Sequence, residues 1–414
     1  MKFETQVIHG AQTPGEWKNA TLSPIYQTAS HRFETAEELS EVFAGRKPGF
    51  IYQRLRNPTN ETLEKRLALL EGGQDAVVMG SGMAAVSVAL MAIAGAGDEI
   101  VSGNSLFMST FVVFSNVFKR FGITVKLVES ADLAAWKSAV TPKTKALFVE
   151  TIGNPKLDVP RIASLAELAH ANCAPLIVDN TLATPYLFRP IEHGADIVVH
   201  STTKCFNGHG SATGGVVIDA GRFDWPLDKF ADFKVAKERR GPLAFTDKLW
   251  RELHINLGTT QSPFSSYLTL IGLDTLALRM ERTLVNAQKL SEFLAHHPAV
   301  KWVNYPGLPN CPGHEVAKEQ FKGRGYGGLL TFGLPSEKAC FEFIRSLKLI
   351  YHLANLGDCK TLAIHPWSSQ YINMTEDLRR ANGITPDMIR ISAGIEAVED
   401  IMEDLDQALR KAVE

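Results

Sequence analysis

One lysine in a stretch of small and polar residues is the first feature of the chain that suggests chemistry. In "HSTTKCFNGHG", Lys204 stands three residues after Ser201 and directly after Thr203. The stretch follows the apolar run "DIVV", which predicts a buried strand, and its glycines disfavour a helix. A cation at the end of a strand, beside two hydroxyl groups, suggests a reactive amine, and other parts of the chain decide which chemistry it performs.

Three further strand ends carry residues that bind anions or cations. In "VVMGSGMAAVSVAL" a strand, a turn of small residues and a helix follow one another, so the backbone N–H groups of Ser81, Gly82 and Met83 can bind a phosphate. "FVETIGNP" places Asn154 just beyond a strand, and "PLIVDN" ends in Asp179, a carboxylate that needs a cationic partner if it is partly desolvated. Ligands of open α/β sheets gather at the carboxyl ends of the strands, so these residues are candidates for one site.

Two other interpretations of these motifs fail. "GSGMAA" matches the dinucleotide fingerprint, but the acid expected at the end of the next strand is missing, because Asp98 and Glu99 precede the apolar "IV" and the strand ends near residues 102–104. Ser201-x-x-Lys204 matches the serine acyl-enzyme motif of penicillin-binding proteins, yet the triplets S-D-N and K-T-G do not occur in the sequence. The sequence therefore favours neither a nicotinamide enzyme nor a serine acyl-enzyme.

Pyridoxal phosphate (PLP) accounts for all four strand ends together. This cofactor requires a lysine for a Schiff base, an acidic partner for its pyridinium nitrogen and a cradle for its phosphate. Lys204, Asp179 and the turn Ser81–Met83 supply one of each, and the hydroxyl groups of Ser201 and Thr203 extend the cradle. We therefore predict a PLP site with Lys204 as the covalent attachment point.

The order of apolar and periodic segments predicts an α/β protein with two domains. Residues 1–60 are irregular and rich in Pro, Gly and aromatic residues, which suggests an arm that lies on another surface. From residue 61 to about 258, near-continuous apolar strands alternate with helical segments, as in a mainly parallel sheet covered on both faces. Pro263 to Leu294 is predicted to be a long helical connection, and residues 259–414 form a smaller α/β domain.

Composition excludes several classes of partner. The 414 residues are 45% hydrophobic and 21% charged with a net charge of -2, and no basic run points to nucleic acid. The N-terminus lacks the apolar core of a signal peptide, and the longest apolar helical stretch is shorter than the roughly 20 residues of a membrane span. Five scattered cysteines predict a cytoplasmic protein without disulfides, and twelve histidines without ligand spacing predict no metal site. Cys205 is expected to pack within its turn, and His209 to shape the loop after Lys204.

Long ordered motifs resemble one enzyme family nearly from end to end. They include "SPIYQTASHRF", "YQRLRNPTNETLEKRLALLEGG", "ETIGNP", "VDNTLATPYLFRPIEHGADIVVHSTTK", "GLDTLALRMERT", "HLANLGDCKTLAIHP" and "IRISAGIEAVEDIMEDLDQAL". The chain resembles the PLP-dependent trans-sulfuration enzymes of cysteine and methionine metabolism, most of all the O-acetylhomoserine and O-succinylhomoserine sulfhydrylases. The resemblance implies the aspartate-aminotransferase-like fold, PLP-dependent transferase fold type I, in homotetramers built from two active dimers.

The resemblance also assigns roles to single residues. Tyr52 and Arg54, in a Y-x-R motif, would reach the cofactor phosphate of the neighbouring subunit, a task that suits the fork-shaped guanidinium. Asn154 would lie beside the phenolic oxygen of the cofactor. Arg390, in "IRIS", would bind the α-carboxylate of the substrate through two hydrogen bonds.

Two positions differ from the common pattern of the family. Most members place a tyrosine over the cofactor ring, whereas "LFMST" puts Phe107 there, which can stack on the ring but carries no hydroxyl group to move protons. Proton delivery to the leaving group then falls to Lys204, Tyr52 or water. Asn355, in "ANLGD", replaces the serine of the lyases near the substrate and resembles the sulfhydrylases.

The resulting prediction is a γ-replacement in which sulfide displaces the acyloxy group of an O-acyl-L-homoserine, giving L-homocysteine and a carboxylate. Acetyl is the preferred acyl group, because "HGADIVVHSTTK" and "GLDTLALRMER" look closer to the acetyl-using enzymes, although "LFMST" leans toward the succinyl type. The alternatives are an O-succinylhomoserine sulfhydrylase or cystathionine γ-synthase, and a methionine γ-lyase-type elimination. A PLP-binding protein without turnover is a further rival, suggested only by Phe107.

Overall fold

In the computed structural model, the structure is described for residues 1–11 and 19–414. The helices are α1 Phe3–His9, α2 Ala36–Phe43, α3 Pro58–Glu71, α4 Gly82–Met91, α5 Met108–Val112, α6 Phe118–Arg120, α7 Leu133–Ala139, α8 Ile162–Ala171, α9 Thr184–Leu187, α10 Lys234–Arg240, α11 Ala244–Lys248, α12 Ile255–Leu257, α13 Pro263–Asp274, α14 Leu276–His296, α15 His314–Phe321, α16 Glu337–Ser346, α17 Glu376–Ala381 and α18 Val398–Val413. The strands are β1 Asp75–Met79, β2 Glu99–Gly103, β3 Thr124–Val128, β4 Thr144–Glu150, β5 Leu176–Asp179, β6 Ile197–His200, β7 Gly215–Asp219, β8 Trp302–Asn304, β9 Leu329–Gly333, β10 Tyr351–His352, β11 Leu362–Ile364 and β12 Met388–Ser392.

The described chain divides into two compact units, each built from two separate segments. The first unit comprises residues 1–93 and 196–275, and the second comprises residues 94–195 and 276–414. The division into an arm (1–60), a large domain (61–258) and a small domain (259–414) remains a prediction. Residues 12–18 of the predicted arm lie outside the described residues.

In the first unit, strands β1, β7 and β6 lie side by side in that order, and both pairs are antiparallel. The sequence predicted parallel strands here, and β7 departs from this pattern. Its connection to β6, residues 201–214, contains no helix, and a return without a crossover helix runs antiparallel. The same connection carries Lys204, so the antiparallel turn is where the candidate lysine lies.

Two helices in the N-terminal segment correct the prediction of an irregular arm. α1 and α2 lie within the first 60 residues. The Thr35 hydroxyl group caps α2 by accepting a hydrogen bond from the backbone N–H of Glu38, and acidic residues fill its first turn. The amphipathic run "AEELSEVF" therefore forms a helix inside a stretch whose Pro and Gly content suggested none.

Helix α3 follows the sequence signals closely. The Asn57 side chain accepts hydrogen bonds from the N–H groups of Thr59 and Asn60, and Pro58 occupies the first turn, where its missing N–H costs nothing. The helix ends at Gly72, whose φ of 82° is the left-handed conformation that glycine adopts without strain. The predicted connection from Pro263 to Leu294 is likewise helical, but it is divided into α13 and α14 at Thr275.

In the second unit, strands β5, β4, β2 and β3 form a parallel array in that order. A second sheet has the order β10-β11-β12-β9-β8 and is antiparallel except for the β10–β11 pair. Its core packs apolar residues of α14, α16 and α18 against the central strands, among them Leu290, Phe332, Phe343, Ile391 and Leu405. This smaller sheet with its helices matches the α/β pattern expected for the C-terminal part.

Candidate active site

Lys204 lies in the compact turn that follows β6. Its backbone N–H donates to the carbonyl of Ser201 (3.2 Å), and its own carbonyl accepts the N–H of Gly208 (2.8 Å). The Thr203 hydroxyl group bonds to both the carbonyl (3.2 Å) and the N–H (3.0 Å) of Gly214. These hydrogen bonds fix the backbone of Lys204 in the turn after the strand, and its side chain is half-buried.

A buried pair anchors this turn to helix α3. The His200 imidazole, on the last residue of β6, lies 3.1 Å from the Glu71 carboxyl group, and both side chains are buried. The other side of the imidazole packs on the ring of Phe206, with ring centroids 4.7 Å apart. His209 is exposed and bonds only within the loop, through Asn207, which agrees with a loop-shaping role.

The predicted phosphate-binding turn lies between β1 and the start of α4. Ser81 caps α4, since its hydroxyl group accepts the N–H of Ala84 at 3.1 Å, and Gly82 and Met83 begin the helix. A Cβ atom on Gly82 would lie 2.6 Å from Cβ of Ser201, so only glycine allows the two backbones to approach this closely. The N–H groups at the start of α4 and the neighbouring Ser201 side chain are groups that can bind an anion.

Tyr52 and Arg54 lie together in the first unit. The Arg54 guanidinium group is 5.5 Å from the centroid of the Tyr52 ring and donates to the carbonyl of Ile255. The Tyr52 side chain is 43% exposed. An aromatic ring and a cation are therefore presented at the surface of this unit, on the segment predicted to serve a neighbouring subunit.

In the second unit, Asp179 ends β5 and lies beside the end of β4. The strand register pairs Asp179 with Glu150, and the Thr151 N–H donates to the Asp179 carbonyl at 3.0 Å. One oxygen of the Asp179 carboxylate accepts the N–H of Thr181 at 3.0 Å. Asp179 therefore stands at the strand end where the sequence predicted it.

Arg390 is a buried cation whose partners are amides. Its guanidinium group donates to the Asn154 side-chain oxygen (3.0 Å) and to the Asn355 carbonyl (3.1 Å), and its side chain is 1% exposed. Within residues 1–11 and 19–414, Nε of Arg390 has no hydrogen-bond partner and the side chain makes no ion pair. Burial lowers the pKa of Arg390 to about 10, still far above neutrality, so a carboxylate ligand would satisfy both its charge and its free N–H.

Asn154 joins several groups of the second unit. Besides accepting from Arg390, it accepts through its backbone carbonyl the hydroxyl group of Tyr371 at 2.9 Å. Phe107 precedes α5, and its backbone N–H donates to the Glu150 carboxyl group at 2.6 Å. Sequence reasoning missed Tyr371 and Glu150; the acid at the end of the apolar run "ALFVE" was a usable signal for Glu150, whereas nothing local marked Tyr371.

Residues 4–410 match the sequence family described as the Cys/Met metabolism PLP-dependent enzymes. The chain belongs to this family. Pyridoxal phosphate is accordingly its cofactor, and the resemblance inferred from the motifs is confirmed. The N-terminus of α4 with Gly82 fits such a cofactor, and the buried Arg390, whose Nε has no acceptor in the described part of the chain, fits an amino-acid substrate.

Two curated relatives cover almost the whole chain of this PLP-dependent enzyme. "Sulfhydrylase FUB7" of Gibberella moniliformis is 41% identical over 99% of the chain and 98% of its own length. The O-acetyl-L-homoserine sulfhydrylase of Leptospira meyeri is 40% identical over 99% of the chain and 97% of its own length.

Two solved structures share the fold. A putative O-acetylhomoserine (thiol)-lyase of Campylobacter jejuni, which carries a pyridoxyl-lysine phosphate, superposes with a TM-score of 0.95 at 33% identity and covers 99% of this chain and 100% of its own. Cystathionine γ-lyase of Lactobacillus plantarum gives a TM-score of 0.89 at 34% identity, with 100% of both chains covered. The expected fold, PLP-dependent transferase fold type I with a mainly parallel sheet and a smaller domain, is confirmed.

No helix of residues 1–11 or 19–414 is long and apolar enough to cross a bilayer. All five cysteines are free thiols, and Cys205 is buried in the turn after Lys204, as expected for a packing residue. The same residues contain no group of three or more His, Cys, Asp and Glu side chains arranged to hold a metal ion.

Proposed function

We propose that this enzyme replaces the γ-acyloxy group of an O-acyl-L-homoserine with sulfide, giving L-homocysteine and a carboxylate, with the acetyl ester preferred. One structural observation carries the assignment of an amino-acid substrate: Arg390 is a buried guanidinium group with an unsatisfied Nε and no ion-pair partner in the described chain. The α-carboxylate of an amino acid supplies the missing acceptor and charge. The sulfhydrylase names of relatives that match at about 40% identity over nearly the full length support the reaction type.

Each candidate residue has a proposed task. When bound, PLP supplies an electron sink for negative charge that develops next to the amino group. Lys204 holds the cofactor covalently at rest, and its freed amine removes the α-proton and carries protons between carbons. The Asp179 carboxylate keeps the ring nitrogen protonated, and Arg390 and Asn355 orient the substrate.

Contacts to the rest of the cofactor fall to the remaining candidates. The phosphate is proposed to bind at the start of α4 and at the neighbouring hydroxyl groups. Phe107 stacks on the ring and Asn154 lies beside the phenolic oxygen. The proposed phosphate ligands are Ser81, Gly82, Met83, Ser201 and Thr203, with Tyr52 and Arg54 contributed by a neighbouring subunit.

Proton delivery to the departing acyl group distinguishes this enzyme from relatives with a tyrosine over the ring. Phe107 has no hydroxyl group, so Lys204, Tyr52 or a water molecule must supply the proton. Tyr52→Phe separates these sources: a fall in kcat with little change in KM would assign the step to Tyr52, whereas unchanged kcat would leave Lys204 or water.

The direct test is to incubate the holoenzyme with sulfide and either O-acetyl- or O-succinyl-L-homoserine and to measure homocysteine. We expect kcat/KM to be higher for the acetyl ester, and Lys204→Ala to lower kcat by roughly 10²–10⁴. A faster succinyl ester would reverse the preference, and full activity of Lys204→Ala would overturn the mechanism.

A γ-elimination is the second candidate, favoured by the likeness to the cystathionine γ-lyase structure. Such an enzyme releases ammonia and a 2-oxo acid from its amino-acid substrate without an added nucleophile. Ammonia release at the rate of substrate loss, measured without sulfide, would support elimination and contradict replacement.

Assembly into homotetramers of two active dimers is proposed as well. Support comes from the exposed apolar side chains of the N-terminal segment, which include Leu22, Ile25, Tyr26, Phe43 and Tyr52. Light scattering coupled to size-exclusion chromatography would give four times the 45.5 kDa chain mass if this is correct, whereas a monomer would contradict it. The cytoplasmic location remains a prediction from the reduced cysteines.

A further inference from the structure

Glu150 is a buried carboxyl group beside Asp179 in the second unit that has no role in the chemistry proposed above. It is the last residue of β4, it is 7% exposed, and its register partner on β5 is Asp179. Two acidic residues thus end two adjacent strands, although the cofactor ring nitrogen needs only one acid. The second acid therefore requires its own explanation.

The Glu150 carboxyl group faces the backbone of two loops. Oε1 accepts the N–H of Phe107 at 2.6 Å, and the backbone N–H of Asn154 also lies close enough to the carboxyl group to lower its pKa slightly. Phe107 is the residue directly before α5, so its hydrogen bond to Glu150 fixes the backbone at the start of that helix. One side chain consequently ties the loop of the proposed ring-stacking residue to the loop of the proposed phenolic-oxygen ligand.

Asn154 transmits this restraint to the substrate side. Its side-chain oxygen accepts from Arg390 at 3.0 Å, and its carbonyl accepts from the Tyr371 hydroxyl group at 2.9 Å. Moving the Asn154 backbone therefore disturbs the Arg390 guanidinium group. Glu150 itself bonds to backbone N–H groups, which makes it a positioning residue rather than a catalytic one.

The surroundings of Glu150 favour its uncharged form. Desolvation is the largest cause that raises the pKa of Glu150 well above its ordinary value, and the charges of Asp179 and Asp158 raise it further. Tyr371 is a further titratable group nearby, and burial raises its pKa too, so it stays neutral and adds no charge beside Glu150. A neutral Glu150 avoids placing a second charged carboxylate beside Asp179 at the paired strand ends.

We propose that Glu150 acts as a bridge that holds the Phe107 loop and the Asn154 loop in the arrangement required to bind the PLP ring. The proposal rests on the proposed function for the roles of these two residues. It predicts that a neutral side chain of the same length preserves the site and that a shorter acid or an apolar side chain does not.

The test compares Glu150→Gln, Glu150→Asp and Glu150→Leu, with Glu342→Gln as a control at an exposed acid of the same unit that pairs with Arg345. The apoenzymes are titrated with PLP and followed by visible circular dichroism, which arises when the achiral cofactor is held in one orientation. We expect Glu150→Leu to weaken PLP binding roughly tenfold or more and to reduce the signal, because it leaves the Phe107 N–H without its acceptor and removes the polar group that the Asn154 N–H faces.

The other variants decide between geometry and charge. Glu150→Asp keeps the carboxyl group but moves it away from the Phe107 N–H, so we expect the affinity for PLP to fall by roughly threefold or more. This variant decides the question if Glu150→Leu does not fold. Glu150→Gln is expected to restore most of the affinity and signal, while Glu342→Gln matches the wild type.

Two outcomes would overturn the proposal. In the first, Glu150→Asp or Glu150→Leu binds PLP with the affinity and the dichroism of the wild type. In the second, Glu150→Gln loses as much PLP affinity and dichroism as Glu150→Leu. Both readouts are independent of turnover. A wild type that binds PLP but forms no homocysteine would therefore contradict the proposed function and leave this comparison decisive.

Discussion

At the scale of single residues, the chemistry depends on charges placed where the protein itself does not neutralise them. Arg390 is the plainest case, because its described hydrogen-bond partners are the oxygens of two asparagines. An unpaired buried cation costs free energy in the free enzyme, and that cost is relieved when a carboxylate binds. The unsatisfied group is therefore suited to select amino acids with a free α-carboxylate.

Replacing Arg390 by lysine tests this role. Lysine keeps the positive charge but loses the two-pronged geometry, so we expect KM for O-acetyl-L-homoserine to rise roughly tenfold, with a smaller fall in kcat. Steady-state kinetics measure both constants, and Arg345→Lys, at an exposed ion pair, serves as the control. An unchanged KM would remove Arg390 from the substrate site.

Single residues were also the scale at which the sequence was most informative. Asp179 ends β5, and Ser81 and Lys204 lie in the turns that follow β1 and β6, because apolar runs mark buried strands and the polar residues after them mark the turns. Tyr371 could not be found in this way, since its contact with Asn154 joins residues 217 positions apart. Its hydrogen bond depends on tertiary packing, which leaves no local pattern.

At the scale of elements, close backbone approach shapes the proposed phosphate cradle. Gly82 begins α4 against Ser201, and the sequence correctly marked this turn by its small residues. The direction of β7 was not predictable from its own apolar residues, because the sequence "GVVID" is compatible with both a parallel and an antiparallel strand. The helix-free connection before it was the relevant signal.

Gly82→Ala should damage the cradle without removing any functional group. The added Cβ would lie 2.6 Å from Cβ of Ser201, so the turn must open, and we expect weaker PLP binding by roughly tenfold. Equilibrium titration of the apoenzyme measures the affinity. The matched control is Gly95→Ala, whose Cβ would have Asp98 Oδ2 as its nearest neighbour at 3.9 Å; equal affinities of the two variants would contradict the expectation.

Asp404, on α18, shows how one side chain fixes a neighbouring loop. Its carboxylate accepts the backbone N–H groups of Lys348, Leu349 and Ile350, each at 2.9 Å. Asp404→Ala leaves these donors without their acceptor, and we expect a loss of about 3 kcal/mol in the free energy of unfolding, measured with urea. Asp406→Ala, two residues further at a more exposed ion pair, should cost less than about 1 kcal/mol; a similar loss in both variants would refute the role of Asp404.

At the scale of the whole molecule, buried ionisable groups make stability depend on pH. Burial raises the pKa of Asp219 to about 7 despite hydrogen bonds from Gly221 and Thr246. The folded protein then binds a proton between pH 4 and 7 that the unfolded chain has released, so this group lowers stability as pH rises through that window. His254, whose pKa burial lowers to about 4, acts in the opposite direction, lowering stability as pH falls below about 6.5.

Asp219→Asn isolates the contribution of the carboxyl group. The variant should gain stability relative to the wild type progressively from pH 4 to pH 7, on the order of 4 kcal/mol at the upper end, since the asparagine side chain carries no charge to bury. Urea unfolding at several pH values measures the difference. A difference that is constant with pH would show that Asp219 titrates normally in the folded protein.

The composition of each unit from two separated segments has a consequence during synthesis on the ribosome. Every residue of β1 pairs with β7, from Asp75 with Asp219 to Met79 with Gly215, so the earlier strand has no partner on that edge until the later one has been translated. In the interval the nascent chain exposes an apolar strand that other chains can bind. We therefore expect the enzyme to depend on chaperones during its synthesis. An expressed fragment that ends at residue 93 is expected to aggregate.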